Sequence, residues 1–414
     1  MNGAPTLPDA IRAADALDPL RYLRDQFVLP DGMIYLDGNS LGALPRATAA
    51  RVAAAITDEW GRGLITSWNA HDWIGAPQRI GAKIAGLIGA GPREVVVADS
   101  TSVNLFKLLA AACRHQRGRN KILSEPGNFP TDLYVAQGVE RLLPECRLET
   151  VPVERLAAAI DEDTAVVLLT HVHYKTGRRL DMAAITAAAH ARGALVLWDL
   201  SHSVGAIEID LNGCDADLAV GCGYKYLNGG PGAPAFLFVA ERLQGVLRSP
   251  LSGWMGHARP FDFVDGYEAA PGIDRFLCGT PPILAMAALE SGVDLIAGVD
   301  RAAITAKAAA LSDLFLREVE PLCAAHGFTL VTPRRFAERG SHVSLAHDHA
   351  YGICQALIAR GVIGDFRAPD MVRFGFTPLY TSFADVWRAV AILGAVMASR
   401  AWDDPRYQVR ERVT

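Results

Sequence analysis

The stretch Leu195–Gly232 constrains the fold more than any other part of this 414-residue chain. Leu195, Val196, Leu197 and Trp198 form an apolar run with no polar alternation, as expected of a strand buried on both faces. The run stops at Asp199, and His202 follows closely. A second short run, Leu218–Val220, leads into Gly223, Tyr224, Lys225 and Tyr226 and then into the glycine-rich segment Asn228–Gly232. The pattern puts a carboxylate at the end of one strand and a lysine just past the next. In open α/β sheets, ligands bind at this edge, beyond the carboxyl ends of the strands.

Apolar segments at 95–98, 121–124, 148–151, 165–170, 217–221 and 235–239 also read as strands, with helical segments such as 76–89, 99–115 and 182–192 between most of them. This alternation predicts an α/β architecture with a mainly parallel central sheet covered on both faces. Beyond about residue 280 come long alanine- and leucine-rich helices at 282–297 and 300–325. Strands near 328–332, 341–346 and 371–376 and helices near 350–360 and 383–398 then read as a smaller α+β unit. The predicted organisation is an arm and loop over 1–45, a large domain over 46–299, and a C-terminal domain over 300–414 joined by a long helix. Residues 46–60 read as a helix. The three-tryptophan stretch Trp60–Trp73 reads as a surface loop, or alternatively as an aromatic wall or a subunit contact.

The formal net charge is −5 and 21% of residues are charged, which leaves no basic excess for nucleic acid or an anionic membrane. No apolar run approaches the roughly 20 residues needed to span a bilayer. The N-terminus carries acids and prolines rather than the basic and apolar regions of a signal peptide. Seven dispersed cysteines with no CxxC fit reduced thiols, and the expected location is the cytoplasm.

Lys225 has two readings, a surface lysine or a desolvated amine nucleophile among tyrosines and glycines. Asp199 is either a turn residue or a buried partner for a cationic group. A lysine that forms a Schiff base and a carboxylate that keeps a pyridine nitrogen protonated are the pair required by pyridoxal 5′-phosphate (PLP). Asp99–Ser100–Thr101–Ser102 is a helix cap that also suits a phosphate. Phe129 is a hydrophobic staple or a stacking ring, with Asp132 in reach of the same cofactor. His171 and His173 alternate on a strand end with no third ligand at suitable spacing, so no metal is expected. Cys278 has no evident base and reads as structural. Arg373, set among apolar residues, reads as a buried ion pair or as a bidentate clamp for a substrate carboxylate.

Together these segments resemble the kynureninase family, in its bacterial form, with the type I PLP-dependent transferase fold. The resemblance runs from about residue 20 to 400 and rests on YLDGNSLGALP, SVNLFKLL, NFPTDLY, LTHVHYKTG, WDLSHSVGA, GYKYLNGGPG, PLSGWMGH, LCGTPPI and RFGFTPLY. It implies that Lys225 holds PLP covalently, that Asp199 pairs with its ring nitrogen, and that His202, Phe129, Asp132 and Thr170 line its site. It implies a phosphate held by Thr101, Ser102 and Tyr224, joined by Trp254 and Thr280 from the second subunit of a homodimer with shared sites. Arg373 is implied to bind the substrate's α-carboxylate, and Tyr224 to donate or relay a proton beside Lys225. The implied reaction is hydrolytic Cβ–Cγ cleavage of L-kynurenine to anthranilate and L-alanine, a step of tryptophan catabolism in the kynurenine pathway towards NAD. Threonine at 280 leans towards kynurenine over its 3-hydroxy form. The competing expectation is another type I PLP enzyme, such as a cysteine desulfurase, a β-lyase or an aminotransferase.

Overall fold

The structure, a computed structural model, describes residues 6–410. After a helix at Asp9–Leu17, three two-residue strands follow: β1 (Phe27–Val28), β2 (Ile34–Tyr35) and β3 (Leu44–Pro45). The central sheet comprises β4 (Val95–Val97), β5 (Lys121–Ser124), β6 (Arg147–Thr150), β7 (Thr164–Thr170), β8 (Leu195–Asp199), β9 (Leu218–Gly221) and β10 (Phe236–Val239). Its order is β4-β10-β9-β8-β7-β5-β6. The pairs β6/β5, β5/β7, β7/β8 and β8/β9 are parallel, and only β10 runs against its two neighbours.

The unbroken apolar character of these strands has a direct cause. Val167, Leu169, Val196 and Trp198 point into one core layer, while Val166, Leu168, Leu195 and Leu197 point into the other. Alternate residues therefore feed alternate faces, and both faces are dry. Edge strand β6 is the exception, with mixed exposure along its length.

Helices Ile283–Ala297 and Arg301–His326 lead to the second sheet. The longer one ends at Gly327, whose φ of 76° is the left-handed conformation glycine tolerates at a helix C-terminus. Strands β11 (Thr329–Leu330), β12 (His342–Ala346), β13 (Val362–Ile363), β14 (Asp365–Arg367) and β15 (Met371–Gly375) follow. All but β13 form an antiparallel sheet of order β11-β12-β15-β14 over a separate core, covered by helices Ala350–Ile358 and Phe383–Ala398. The N-terminal segment is shared between the two cores. Leu20, Leu23 and Phe27 pack into the first, and Ile11, Ile34 and Leu36 into the second. Strand β13 pairs in parallel with β2.

Two segments differ from expectation. The Trp60–Trp73 stretch is not a loop: helix Arg46–Ala54 runs on into a π-helix over Ala55–Gly63 and then short turns to Ala70. Buried Glu59 organises it, accepting from Arg51 and from Trp73 Nε1, each at 2.7 Å. Strands β13 and β14 lie between the helix expected near 350–360 and the strand expected near 371–376, and their two and three residues carry too little periodicity to be seen.

Candidate active site

Strands β5, β7, β8 and β9 run the same way, and β4 shares their direction because β10 opposes both β4 and β9. Residues just past their carboxyl ends therefore collect at one edge. Strand β8 ends in Asp199, β7 ends in Thr170, and the turn after β9 carries Lys225. Lys225 Nζ lies 2.9 Å from His202 Nε2 and 5.7 Å from the ring centres of Phe129 and Tyr224. Only 7% of Lys225 is exposed, which decides against the surface-lysine reading.

The surrounding groups are buried, which raises the cost of charge on each of them. Asp199 Oδ1 accepts from Ser201 N at 2.7 Å. Burial still pushes its carboxyl above the ordinary range, against the pull of that hydrogen bond and of the Lys225 charge. Asp132 is raised well above its ordinary value by burial and by Asp199. His202 is held well below the usual imidazole value by burial and the Lys225 charge, so the ring is neutral. Thr170 Oγ1 donates to Asn128 Oδ1 at 2.5 Å and lies 3.4 Å from Asp132 Oδ2.

Asp132 Oδ1, His202 Nδ1 and Asn228 Oδ1 are buried and have no hydrogen-bond partner among the described residues. Leaving such an atom unpaired costs about 1–3 kcal/mol. Asp132, which feels the Lys225 charge, and His202, in contact with its amine, put two of these atoms beside the lysine and mark the place of a polar molecule. The residues fit PLP: an amine, a carboxylate, the ring of Phe129, and the start of helix Thr101–His115 at the same edge. Ser100 caps that helix, Thr101 is half-buried and Ser102 is exposed, so its first-turn hydroxyls and N–H groups suit a phosphate.

Tyr224 departs from expectation. A proton-relay tyrosine was expected to need its pKa lowered by a cation. Instead, burial raises it, with Cys222 and Asp199 adding to the effect, and the Arg367 charge does not overcome them. The phenol therefore keeps its proton. Trp254 and Thr280 stand apart from this group. The Trp254 ring packs against Phe261 and Phe263, and Thr280 is exposed. His171 and His173 go to separate partners, His171 to Arg179 and His173 to the carbonyl of Gly127.

Arg373, on β15, is 1% exposed. Its Nε donates to Asp365 Oδ1 at 2.9 Å, and its Nη2 donates to Ser40 Oγ at 2.8 Å and to Asp365 Oδ2. Nη1 donates to the carbonyl of Tyr174 at 2.5 Å, leaving one N–H of that nitrogen to spare. The ion pair is therefore present, and the one N–H left allows a single hydrogen bond to a carboxylate rather than the bidentate clamp expected. Sequence reasoning missed Ser40, Asn128, Asp365, Arg367 and His342. The only available signal was the alternation Asp365, Arg367 shortly before Arg373, which puts both charges on one strand face.

A family profile described as "Kynureninase C-terminal domain" matches residues 304–393. The kynureninase of Pseudomonas fluorescens is 54% identical over 409 residues, spanning 97% of this chain and 98% of the relative. The chain belongs to the kynureninase family. Kynureninases of Deinococcus radiodurans and Burkholderia mallei are similar at 55% and 53% identity, covering 93% and 97% of this chain and 95% and 98% of the relatives. Among solved structures, an apo cysteine desulfurase of Thermococcus onnurineus covers 91% of this kynureninase-family chain and 98% of its own (TM-score 0.77, 20% identity). A C-DES variant with glycine covalently linked to its PLP cofactor covers 90% and 98% (TM-score 0.79, 19% identity). At these identities the likeness shows the fold, that of type I PLP-dependent enzymes. No helix among the described residues is long and apolar enough to cross a membrane.

Proposed function

We propose that the edge around Lys225 is the PLP site of a carbon–carbon hydrolase that converts L-kynurenine and water to anthranilate and L-alanine. The observation that carries this reading is the buried amine of Lys225, 2.9 Å from a neutral His202, in a chain 54% identical to a kynureninase over nearly its whole length. Bound PLP supplies an electron sink for the carbon chemistry. Lys225 would hold the cofactor, and its Nζ, as a free amine, would take the proton from the substrate's α-carbon. Asp199, fixed by Ser201, holds its charge towards the ring nitrogen. Phe129 stacks on the ring, and Asp132, Thr170 and His202 line it. Thr101, Ser102 and Tyr224 hold the phosphate, and Tyr224, kept as a neutral phenol, donates a proton. Arg373 orients the α-carboxylate. Water adds to the γ-carbonyl carbon and the Cβ–Cγ bond breaks, releasing anthranilate, after which the three-carbon remainder takes a proton and leaves as alanine.

The site is proposed to be completed by Trp254 of the partner subunit and Thr280 of the partner subunit in a homodimer. Supporting this, Trp254, Phe261 and Phe263 form an exposed aromatic group, and Leu64 and Ile65 are exposed as well. Thr280 favours kynurenine over 3-hydroxykynurenine. The domain division into 1–45, 46–299 and 300–414 is kept, supported by the two separate cores; its residues 1–5 and 411–414 lie outside the described residues. A cytoplasmic location rests on the seven dispersed cysteines.

The test is to incubate purified protein and PLP with L-kynurenine and follow anthranilate fluorescence. Absence of anthranilate, with alanine formed from some other amino acid, sinks the reading.

A further inference from the structure

Arg373 alone is a poor carboxylate receptor. Asp365 meets its guanidinium through both oxygens, so the pair is close to electrically neutral. Asp365 is held below its ordinary value by Arg373 and Arg367 and is fully ionised. An incoming carboxylate would face a cancelled charge, and would have to share the site with Asp365.

The excess comes from Arg367. On β14 it lies two residues from Asp365 and on the same strand face. Its Nη2 donates to Asp365 Oδ2 at 2.6 Å and to Ser40 Oγ at 3.1 Å, the two atoms that also hold Arg373 Nη2. Ser40 Oγ in turn donates to Asp365 Oδ2 at 2.8 Å. Arg367 Nε is buried with no partner among the described residues. The charges of Arg367 and Arg373 both act on the Tyr174 phenol and on His202, and that of Arg367 also acts on Tyr224. The other acid nearby is Asp37, in the loop after β2. Burial and Asp365 push its carboxyl up to about 7, so at neutral pH it offsets the two arginines only in part. No hydrogen bond joins Asp37 to either guanidinium among the described residues, so the N–H groups that Asp365, Ser40 and Tyr174 do not use remain for a further anion.

We propose that Arg367 is a second arginine of the substrate-carboxylate site, supplying with its unpaired Nε the positive charge that Asp365 removes from Arg373. The inference rests on the reading of Arg373 as the carboxylate-binding residue. Its role is selection for α-amino acids over the corresponding amines, with Ser40 holding the two guanidinium groups in register.

The experiment compares L-kynurenine with the amine that lacks its carboxylate, used as a competitive ligand, in PLP-loaded wild type, Arg367→Gln, Arg367→Lys and Arg373→Gln. Arg367→Gln is expected to raise KM for L-kynurenine roughly tenfold or more, a larger effect than on kcat, while the inhibition constant of the amine stays within about twofold. Arg367→Lys, which keeps the charge but loses the guanidinium fork, is expected to recover only part of the loss. Equal weakening of both ligands, or a KM unchanged in Arg367→Gln, overturns the role of Arg367; so does an Arg367→Lys variant as impaired as Arg367→Gln. Arg373→Gln separates the two levels. If it too leaves the preference for the carboxylate intact, the reading of Arg373 is wrong. If it abolishes that preference while Arg367→Gln does not, only Arg367 is misassigned.

Discussion

Lys225 Nζ and His202 Nε2 lie 2.9 Å apart in surroundings that disfavour charge. Because His202 is kept neutral, the only consistent arrangement with an ammonium is donation by Lys225 to Nε2. The ring proton then sits on Nδ1, which has no partner among the described residues. The lysine is thus aimed by a neighbour that does not compete with it for a proton.

Lys225→Ala is expected to abolish both turnover and covalent retention of the cofactor. Borohydride treatment followed by mass measurement of the intact chain reads this directly. A variant that still gains the cofactor's mass on reduction would remove Lys225 from its role.

Asp199→Asn keeps the shape of the side chain and its contact with Ser201 while removing the charge buried beside Lys225. We expect kcat to fall roughly a hundredfold or more, the scale on which preorganised electrostatic partners act. Cofactor binding should weaken less than kcat. Steady-state kinetics at saturating PLP checks this, and an unaltered kcat would show that the Asp199 charge is not used.

Gly42→Ala is expected to damage the site from outside it. Gly42 N donates to Tyr224 O at 2.8 Å, and a Cβ there would sit 2.3 Å from the Lys225 carbonyl oxygen and 2.8 Å from Asn228 Cα. These are backbone atoms of the lysine turn, so relief displaces Lys225 itself. We expect a stability loss of about 1–3 kcal/mol, as for other overpacked positions, and a lowered kcat. Thermal unfolding and kinetics on the same preparation test both.

Glu125, just past β5, gives a pH signature in stability. Burial and the Glu154 charge push its carboxyl up to about 7, despite Arg178. An unfolded glutamate titrates at about 4.3. The folded state therefore binds the proton more tightly, and this contribution is present below about pH 4.3 and lost as pH rises through about 7. Wild type should accordingly lose ground to Glu125→Gln between those values and hold a constant deficit above them. A Tm difference that does not vary across this range would contradict the assignment.

Much of the frame was legible because it rests on repetition. Strands β4, β8, β9 and β10 and the interior of β7 are apolar without a break since both faces are covered, and Lys225 and Asp199 interrupt that monotony at or just past the strand ends. What was not legible depends on distant pairing. Asp365 sits directly opposite Arg373 across β14 and β15, and Ser40 reaches both from the other end of the chain. The fate of Trp60–Trp73 was hidden for the same reason: its shape depends on buried Glu59 accepting from both Arg51 and Trp73, and not on local propensity.

The shared N-terminal segment has a consequence for synthesis. Ile34 N bonds to Gly361 O, Leu36 N to Ile363 O, and Leu36 O accepts from Gly375 N, while Gly42 reaches back to Tyr224. The segment over β2 therefore waits for strands made long after the central sheet. Contacts of such separation form slowly, and the central sheet can close before they exist. A growing chain would then own the surroundings of Lys225 well before the Arg373 cluster had formed.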